Sequence, residues 1–153
     1  MEIRDFKLQD ASEASYLIQE CYQKLDIGGH TPSGIKMQIW SNNSENLVKR
    51  AESVKYFVAV DNHKVVGICG YDKEKVHTLF VGIEYQKRGI GKKLLETVLS
   101  KAKNEGLKNI STWSTILAEP FYLSVGFNRV KEILLPPGKQ EVILIEMIKQ
   151  LDT

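Results

Sequence analysis

The stretch Glu84–Leu95 reads EYQKRGIGKKLL, with Gly89 and Gly91 set among Lys87, Arg88, Lys92 and Lys93 just before an apolar run. Glycines where a helix begins leave the main chain uncovered, and the first N–H groups of a helix have no partner within it. The helix dipole adds about half a positive charge at that end. Such a turn can hold phosphate, with the cationic side chains reaching the outlying oxygens. An isolated G-x-G of this kind can equally be a turn glycine beside a solvated lysine face. Two nucleotide motifs are excluded. G-x-x-x-x-G-K-[ST] would need glycine at Gln86 and a hydroxyl residue at Lys93, and G-x-G-x-x-G would need glycine at Leu94. What remains is Q-x-x-G-x-G, formed by Gln86, Gly89 and Gly91.

Few other residues have types suited to proton transfer. His77 precedes the turn by one strand length and has an intrinsic pKa near neutrality; Asp72 and Glu74 lie just before it. Glu84 also lies within the turn, and His30 and His63 read as loop residues. Cys21 and Cys69 are the only cysteines and lack the neighbours of a zinc or redox pair, so both are expected to be inert thiols, with no metal bound.

The elements that must position these residues follow from periodicity. Residues 2–6 (EIRDF) read as a strand. Residues 10–25 place Ala14, Leu17, Ile18, Cys21, Tyr22 and Leu25 at helical spacing, with Asp10 or Ser12 as cap. Residues 26–34 (DIGGHTPSG) break that helix. Residues 35–53 hold one or two short helices, with Ser41 and Asn43 as turn or cap residues. KYFVAVD and KVVGICGYD form a hairpin through DNHK, and KVHTLFVGI is a third strand, in which Gly82 offers a place to splay. A helix follows the glycine turn, with Leu94, Leu95, Val98, Leu99 and Ala102 on one stripe, Lys101 and Lys103 in its last turn and Gly106 after it. LKNISTW is a strand and AEPFYLSVGF a short helix. FNRVKEILL and EVILIEMI are the last strands, about the turn PPGKQ. The order β-α-α-β-β-β-α-β-α-β-β predicts a mixed sheet with helices on both faces.

The chain of 153 residues suits one domain, 1–153, and its net charge is only +2. That balance gives no general pull toward nucleic acid or membrane, so an anion site must be local. No apolar run approaches the roughly 18 residues of a spanning helix. The opening segment does not read as a secretory signal, and a cytoplasmic setting is expected.

LFVGIEYQKRGIGKKLL resembles the acetyl-CoA-binding signature [RQ]-x-x-G-x-[GA] of the GNAT superfamily of N-acetyltransferases. AEPFYLSVGF is similar to that family's later A-x-x-[FL]-Y-x-x-x-G-F segment, with Ala118, Tyr122, Gly126 and Phe127 on its positions. HTPSGIKMQIW and SENLVKRA are similar, less specifically, to small bacterial members. The resemblance covers nearly the whole chain. It implies an α/β (α+β) fold with a mixed central sheet of six to seven strands and helices on both faces. It also implies acetyl transfer from acetyl-CoA to an amine without a covalent enzyme intermediate, or alternatively a weakly active acyl-CoA-binding or sensing module. The implied cofactor contacts are Gln86, Lys87, Arg88, Gly89, Ile90, Gly91 and Lys92 on the pyrophosphate and the main chain of Phe80 and Val81 on the pantetheine arm. Tyr122 is the implied donor to the leaving thiolate, and His77 a candidate base. Where many relatives carry Asn, this chain has Thr115, so Thr115 or Ser114 would have to substitute. The implied acceptor contacts lie around residues 26–40 and 136–140; small-molecule and protein amines stay open, as does a homodimer.

Overall fold

The protein is described by a computed structural model covering residues 1–152. The predicted order is realised, except that three helices rather than two stand between the first two strands. β1 (Glu2–Asp5) is followed by α1 (Ala11–Lys24), α2 (Pro32–Ser41) and α3 (Ser44–Arg50). Next come β2 (Lys55–Asp61), β3 (Lys64–Tyr71) and β4 (Lys75–Val81), then α4 (Ile90–Asn104), β5 (Asn109–Ser114), α5 (Glu119–Ser124), β6 (Asn128–Leu135) and β7 (Val142–Gln150). The seven strands form one sheet in the order β1-β2-β3-β4-β5-β7-β6. All neighbours are antiparallel except β4 and β5.

Helices cover both faces. Leu94, Leu95, Val98 and Ala102 of α4 bury against Val66, Val76, Ile110 and Met147 on one face. Ala14, Leu17 and Ile18 of α1, with Leu47 of α3, bury against Val58, Val65 and Ile68 on the other. The β2–β3 hairpin turns on Asn62 and His63, both at positive φ, which is the left-handed geometry a two-residue hairpin favours.

Two local expectations are corrected. Asp10 makes no side-chain cap for α1. Its buried carboxylate instead takes the Arg4 guanidinium at 2.8 and 3.0 Å and the Lys7 N–H at 2.7 Å. The segment 32–34 belongs to α2 rather than to the preceding break: Thr31 caps the helix by accepting the Gly34 N–H at 3.0 Å, and Pro32 occupies a first-turn position that needs no N–H. The same loop is tied to β7, since the Thr31 N–H donates to the Glu141 carbonyl at 2.9 Å and its hydroxyl bonds the Glu141 carboxylate. At Gly34 a Cβ would collide with the Glu141 main-chain oxygen, so α2 starts in contact with the last strand.

The feature that makes a site is a break in the sheet. β4 and β5 pair only at Lys75–Ser111 and Val76–Thr112, and then separate. Within β4 the register against β3 slips between the pairs Gly70–His77 and Ile68–Phe80, so Thr78 and Leu79 together oppose Cys69. This is a β-bulge, and Thr78 takes the left-handed conformation there, with φ of 57°. Gly82, expected to permit the splay, has an ordinary φ of −54° and room for a Cβ; the irregular residue is Thr78.

Candidate active site

A cleft of about 900 Å³ runs through the gap between the separated strands. One end is the turn between β4 and α4. Gly89 caps the helix with φ of 81°, a conformation glycine adopts without the Cβ penalty of other residues. The first amide bonded back into the helix is that of Lys93, which donates to Gly89 O at 3.1 Å, so the N–H groups of Ile90, Gly91 and Lys92 stand ahead of it without helical partners. A Cβ on Gly91 would stand 3.5 Å from Val81 Cγ2 and 3.9 Å from Phe121 Cζ, ordinary contacts, so the fold itself does not require glycine there. Lys87 and Lys92 line the cleft. Arg88 does not: it folds back to donate to Glu84 O at 3.1 Å, and its guanidinium lies 5.2 Å from the Tyr85 ring centre. Lys93 lines a separate depression with Ile3 and Glu96. Of the four cations flanking the turn, two therefore face the cleft.

The middle of the cleft is walled by β4. The Gly82 N–H donates to Val66 O at 2.8 Å, and strand alternation then turns the Phe80 main chain toward β3 and that of Val81 toward the gap. The Val81 carbonyl is occupied, accepting the Gln86 side-chain amide at 3.1 Å and the Cys21 thiol at 3.3 Å, and its N–H faces the opening. Gln86 thus ties the turn to the strand end. Burial pushes the Cys21 thiol up to about 11, so it is a protonated donor and a poor nucleophile. The Phe80 side chain packs on Tyr22, with ring centres 5.4 Å apart.

Across the gap stands α5. Tyr122 is buried, its ring between Phe121 and Phe127 at centroid distances of 5.5 and 5.3 Å. Burial raises its pKa well above the usual phenol range; nearby Cys69 adds to this, and a hydrogen bond with Thr112 opposes it. The Thr115 hydroxyl lines the cleft and accepts the Ala118 N–H at 3.1 Å, which starts the turn into α5 and leaves its own proton to donate. Ser114 donates to the Thr115 carbonyl at 2.7 Å.

His77 lies on the far wall with Thr78, toward α2 and α3. Its Nε2 is 2.8 Å from Asp72 Oδ2. Asp72 is held in turn by the Glu74 and Lys75 amides, which donate to its other oxygen at 2.8 and 2.9 Å. Burial lowers the His77 pKa below 6.5, and the Asp72 hydrogen bond and charge offset part of that drop. Burial would raise the Asp72 pKa, but the two amides and His77 outweigh it and the net shift is downward. The histidine is therefore neutral at pH 7, with Nε2–H donated to the carboxylate and Nδ1 as its basic nitrogen.

A strand that leaves its neighbour, an N–H facing the gap, and a glycine turn opening a helix beside it coincide with one family. The sequence model described as the acetyltransferase (GNAT) domain matches residues 17–150. The chain belongs to the GNAT acetyltransferase family. A protein of Escherichia coli (strain K12), YafP, described as an uncharacterized N-acetyltransferase, is 25% identical over 132 residues, spanning 86% of this chain and 84% of that protein. Among solved structures, a GCN5-related N-acetyltransferase from Rhodopseudomonas palustris superposes with a TM-score of 0.89 at 14% identity, covering 98% of this chain and 95% of the other. The PaiA N-acetyltransferase from Thermoplasma acidophilum, solved in complex with coenzyme A, gives 0.79 at 18% identity, over 97% and 98%. These likenesses share the fold expected from the sequence.

In this GNAT chain the wall opposite the turn differs from the sequence expectation. Ile27 and Gln38 come from the expected segment, but the late hairpin contributes Leu135 and Leu144 rather than residues 136–140. Ser41, Asn42 and Arg50 were missed by sequence reasoning. A signal for Arg50 existed: it falls three residues after buried Leu47, placing a cation on the apolar side of α3. Thr78 carried no signal, because a β-branched residue at positive φ runs against local preference. Among the described residues no group of His, Cys, Asp and Glu side chains could hold a metal, and no helix is long and apolar enough to cross a membrane.

Proposed function

We propose that this GNAT protein moves the acetyl group of acetyl-CoA directly to a primary amine in a ternary complex. The observation that carries this reading is the Val81 N–H left unpaired by the strand separation, in one cleft with the free amides of α4 and with Tyr122. The cleft fits the cofactor: amides without helical partners, Lys87 and Lys92 suit a pyrophosphate, and the narrow gap suits an extended arm. Acetyl-CoA supplies a thioester whose acyl carbon takes the amine's lone pair while the C–S bond breaks; the thiolate departs, and the surplus proton of the new amide nitrogen passes to it through water.

The chain's residues divide the remaining work. The Val81 N–H donates toward the thioester carbonyl. Thr115 offers its hydroxyl proton to the cofactor arm. Tyr122 donates a hydrogen bond to the departing sulfur. Because burial holds its proton more tightly than an ordinary phenol, donation without full transfer is its role. His77 takes the proton of the acceptor ammonium at Nδ1, and Asp72 orients the ring through Nε2.

The decisive test is thiol release from acetyl-CoA across a panel of primary amines, with calorimetry for CoA. Binding with release supports the transferase. Binding without release from any amine would leave the acyl-CoA sensing module, and no heat at millimolar CoA would remove both.

A further inference from the structure

Arg50 closes the end of the cleft opposite the glycine turn, and its bonding is unusual for a sheltered cation. Nη1 donates to Asn42 Oδ1 at 2.9 Å and, at longer range, to Thr78 Oγ1 at 3.3 Å and Tyr56 O–H at 3.4 Å. Nη2 donates to the Ser41 carbonyl at 2.6 Å and its hydroxyl at 3.2 Å. Every one of these acceptors is neutral. Among the described residues no carboxylate lies within 4.0 Å of Arg50. No Asp or Glu among the described residues lines the cleft; Asp72, beside His77, is committed to that histidine, and Glu141 to Thr31. A half-buried guanidinium held by neutral partners keeps a full unbalanced charge. Its Nη hydrogens are taken up by these contacts, so a carboxylate would meet it at Nε–H, which makes no hydrogen bond among the described residues, and by displacing the longer Nη1 contacts to Thr78 and Tyr56. That charge is felt along the cleft, since it is among the influences on both His77 and Tyr22.

We infer that Arg50 is the specificity residue for the acceptor and that the acceptor is a primary amine carrying a carboxylate, which Arg50 binds while the amine reaches the Val81 end of β4. The inference rests on the transferase reading above. A purely structural Arg50, bracing α2 and α3 to β4, would leave the choice between charged and uncharged acceptors unaffected.

Matched acceptors test it on the full chain. Lysine is compared with cadaverine, phenylalanine with phenethylamine, and phosphoethanolamine with ethanolamine, by thiol release under saturating acetyl-CoA. For at least one of the two carboxylate pairs, kcat/KM is expected to be at least tenfold higher for the acid, and this ratio is expected to collapse toward one in R50Q whatever happens to the absolute rates. R50K, which keeps the charge but not the fork, should retain part of the ratio. If R50Q does not fold, the wild-type and R50K ratios decide. Equal use of both members of the carboxylate pairs, a ratio that survives in R50Q, or a preference confined to the phosphate pair would overturn the inference and leave the transferase standing. Release with none of the amines would bring down the transferase reading and this inference together.

Discussion

Replacing Tyr122 with Phe isolates one oxygen. The ring stays between Phe121 and Phe127, whose centroids lie 5.5 and 5.3 Å away, so packing in this 5%-exposed position is conserved. Folding loses at most a polar contact between the tyrosine hydroxyl and Thr112, and loss of a neutral contact of this kind costs about 1 kcal/mol or less. Turnover loses a hydrogen bond to a sulfur that gains negative charge as the C–S bond breaks. Bonds to charged partners are worth about 1.5–3 kcal/mol, which converts to roughly 10- to 100-fold in kcat. The contribution is differential, because the thioester sulfur is nearly uncharged before reaction, so KM and CoA affinity should change little. Thiol release at saturating acetyl-CoA and acceptor gives kcat, calorimetry gives CoA affinity, and a melting curve separates folding from catalysis. Y122F turning over within twofold of the wild type, with CoA affinity intact, would refute the assigned role. A parallel loss of CoA binding would instead place Tyr122 in the cofactor's ground-state contacts.

The other predictions concern the two ends of the cleft. kcat/KM should fall as pH drops through the His77 pKa, which lies below 6.5; because the Asp72 hydrogen bond and charge raise that pKa, D72N should move the acid limb to still lower pH. An upward shift or no shift in the pH profile would contradict the pairing. G91A fills open cleft with a methyl group while improving a helical position, so it should leave the melting temperature unchanged or slightly raised and weaken CoA binding at least tenfold by calorimetry; unaltered affinity would exclude close backbone approach there. G34A drives a Cβ into the Glu141 carbonyl and should cost about 1–3 kcal/mol in denaturant unfolding. Because α2 carries Gln38 and Ser41 of the acceptor wall, it should also raise the acceptor KM more than it weakens CoA.

The parts of this molecule legible in the sequence are those fixed by short-range physics. The α4 stripe, the glycine turn and the hairpin at Asn62 and His63 are set by residues close in the chain, and each lies where its pattern indicated. Directions were not legible. Lys87 and Arg88 are neighbours, yet only Lys87 lines the cleft, since the Arg88 side chain is captured by Glu84 O and the Tyr85 ring. Asp10 has the type of a helix cap but is taken by Arg4, a residue from another element. Thr115 stands where the sequence resemblance leads to an expectation of Asn, and only the Ala118 N–H donating to it shows that its hydroxyl is already half used. Long-range partners decide all of these, and a one-dimensional pattern does not contain them.

The bulge at Thr78 links the two ends of the site through one residue. A threonine in the left-handed region costs on the order of 1–3 kcal/mol and persists only where its surroundings over-determine it. Here the surroundings are Tyr56, 2.9 Å from the threonine hydroxyl, and Arg50 at 3.3 Å. One of those bonds also reaches the guanidinium, whose shorter contacts are to Ser41 and Asn42, while the extra residue they stabilise comes just after the last β4–β5 pair, Val76–Thr112, where the two strands part. The strand separation that admits a cofactor and the placement of the cation that would select an acceptor therefore depend on the same hydroxyl. T78V keeps the shape and removes that oxygen. It should weaken CoA binding and lower the acid-over-amine ratio together, a coupling that independent cofactor and acceptor subsites would not produce.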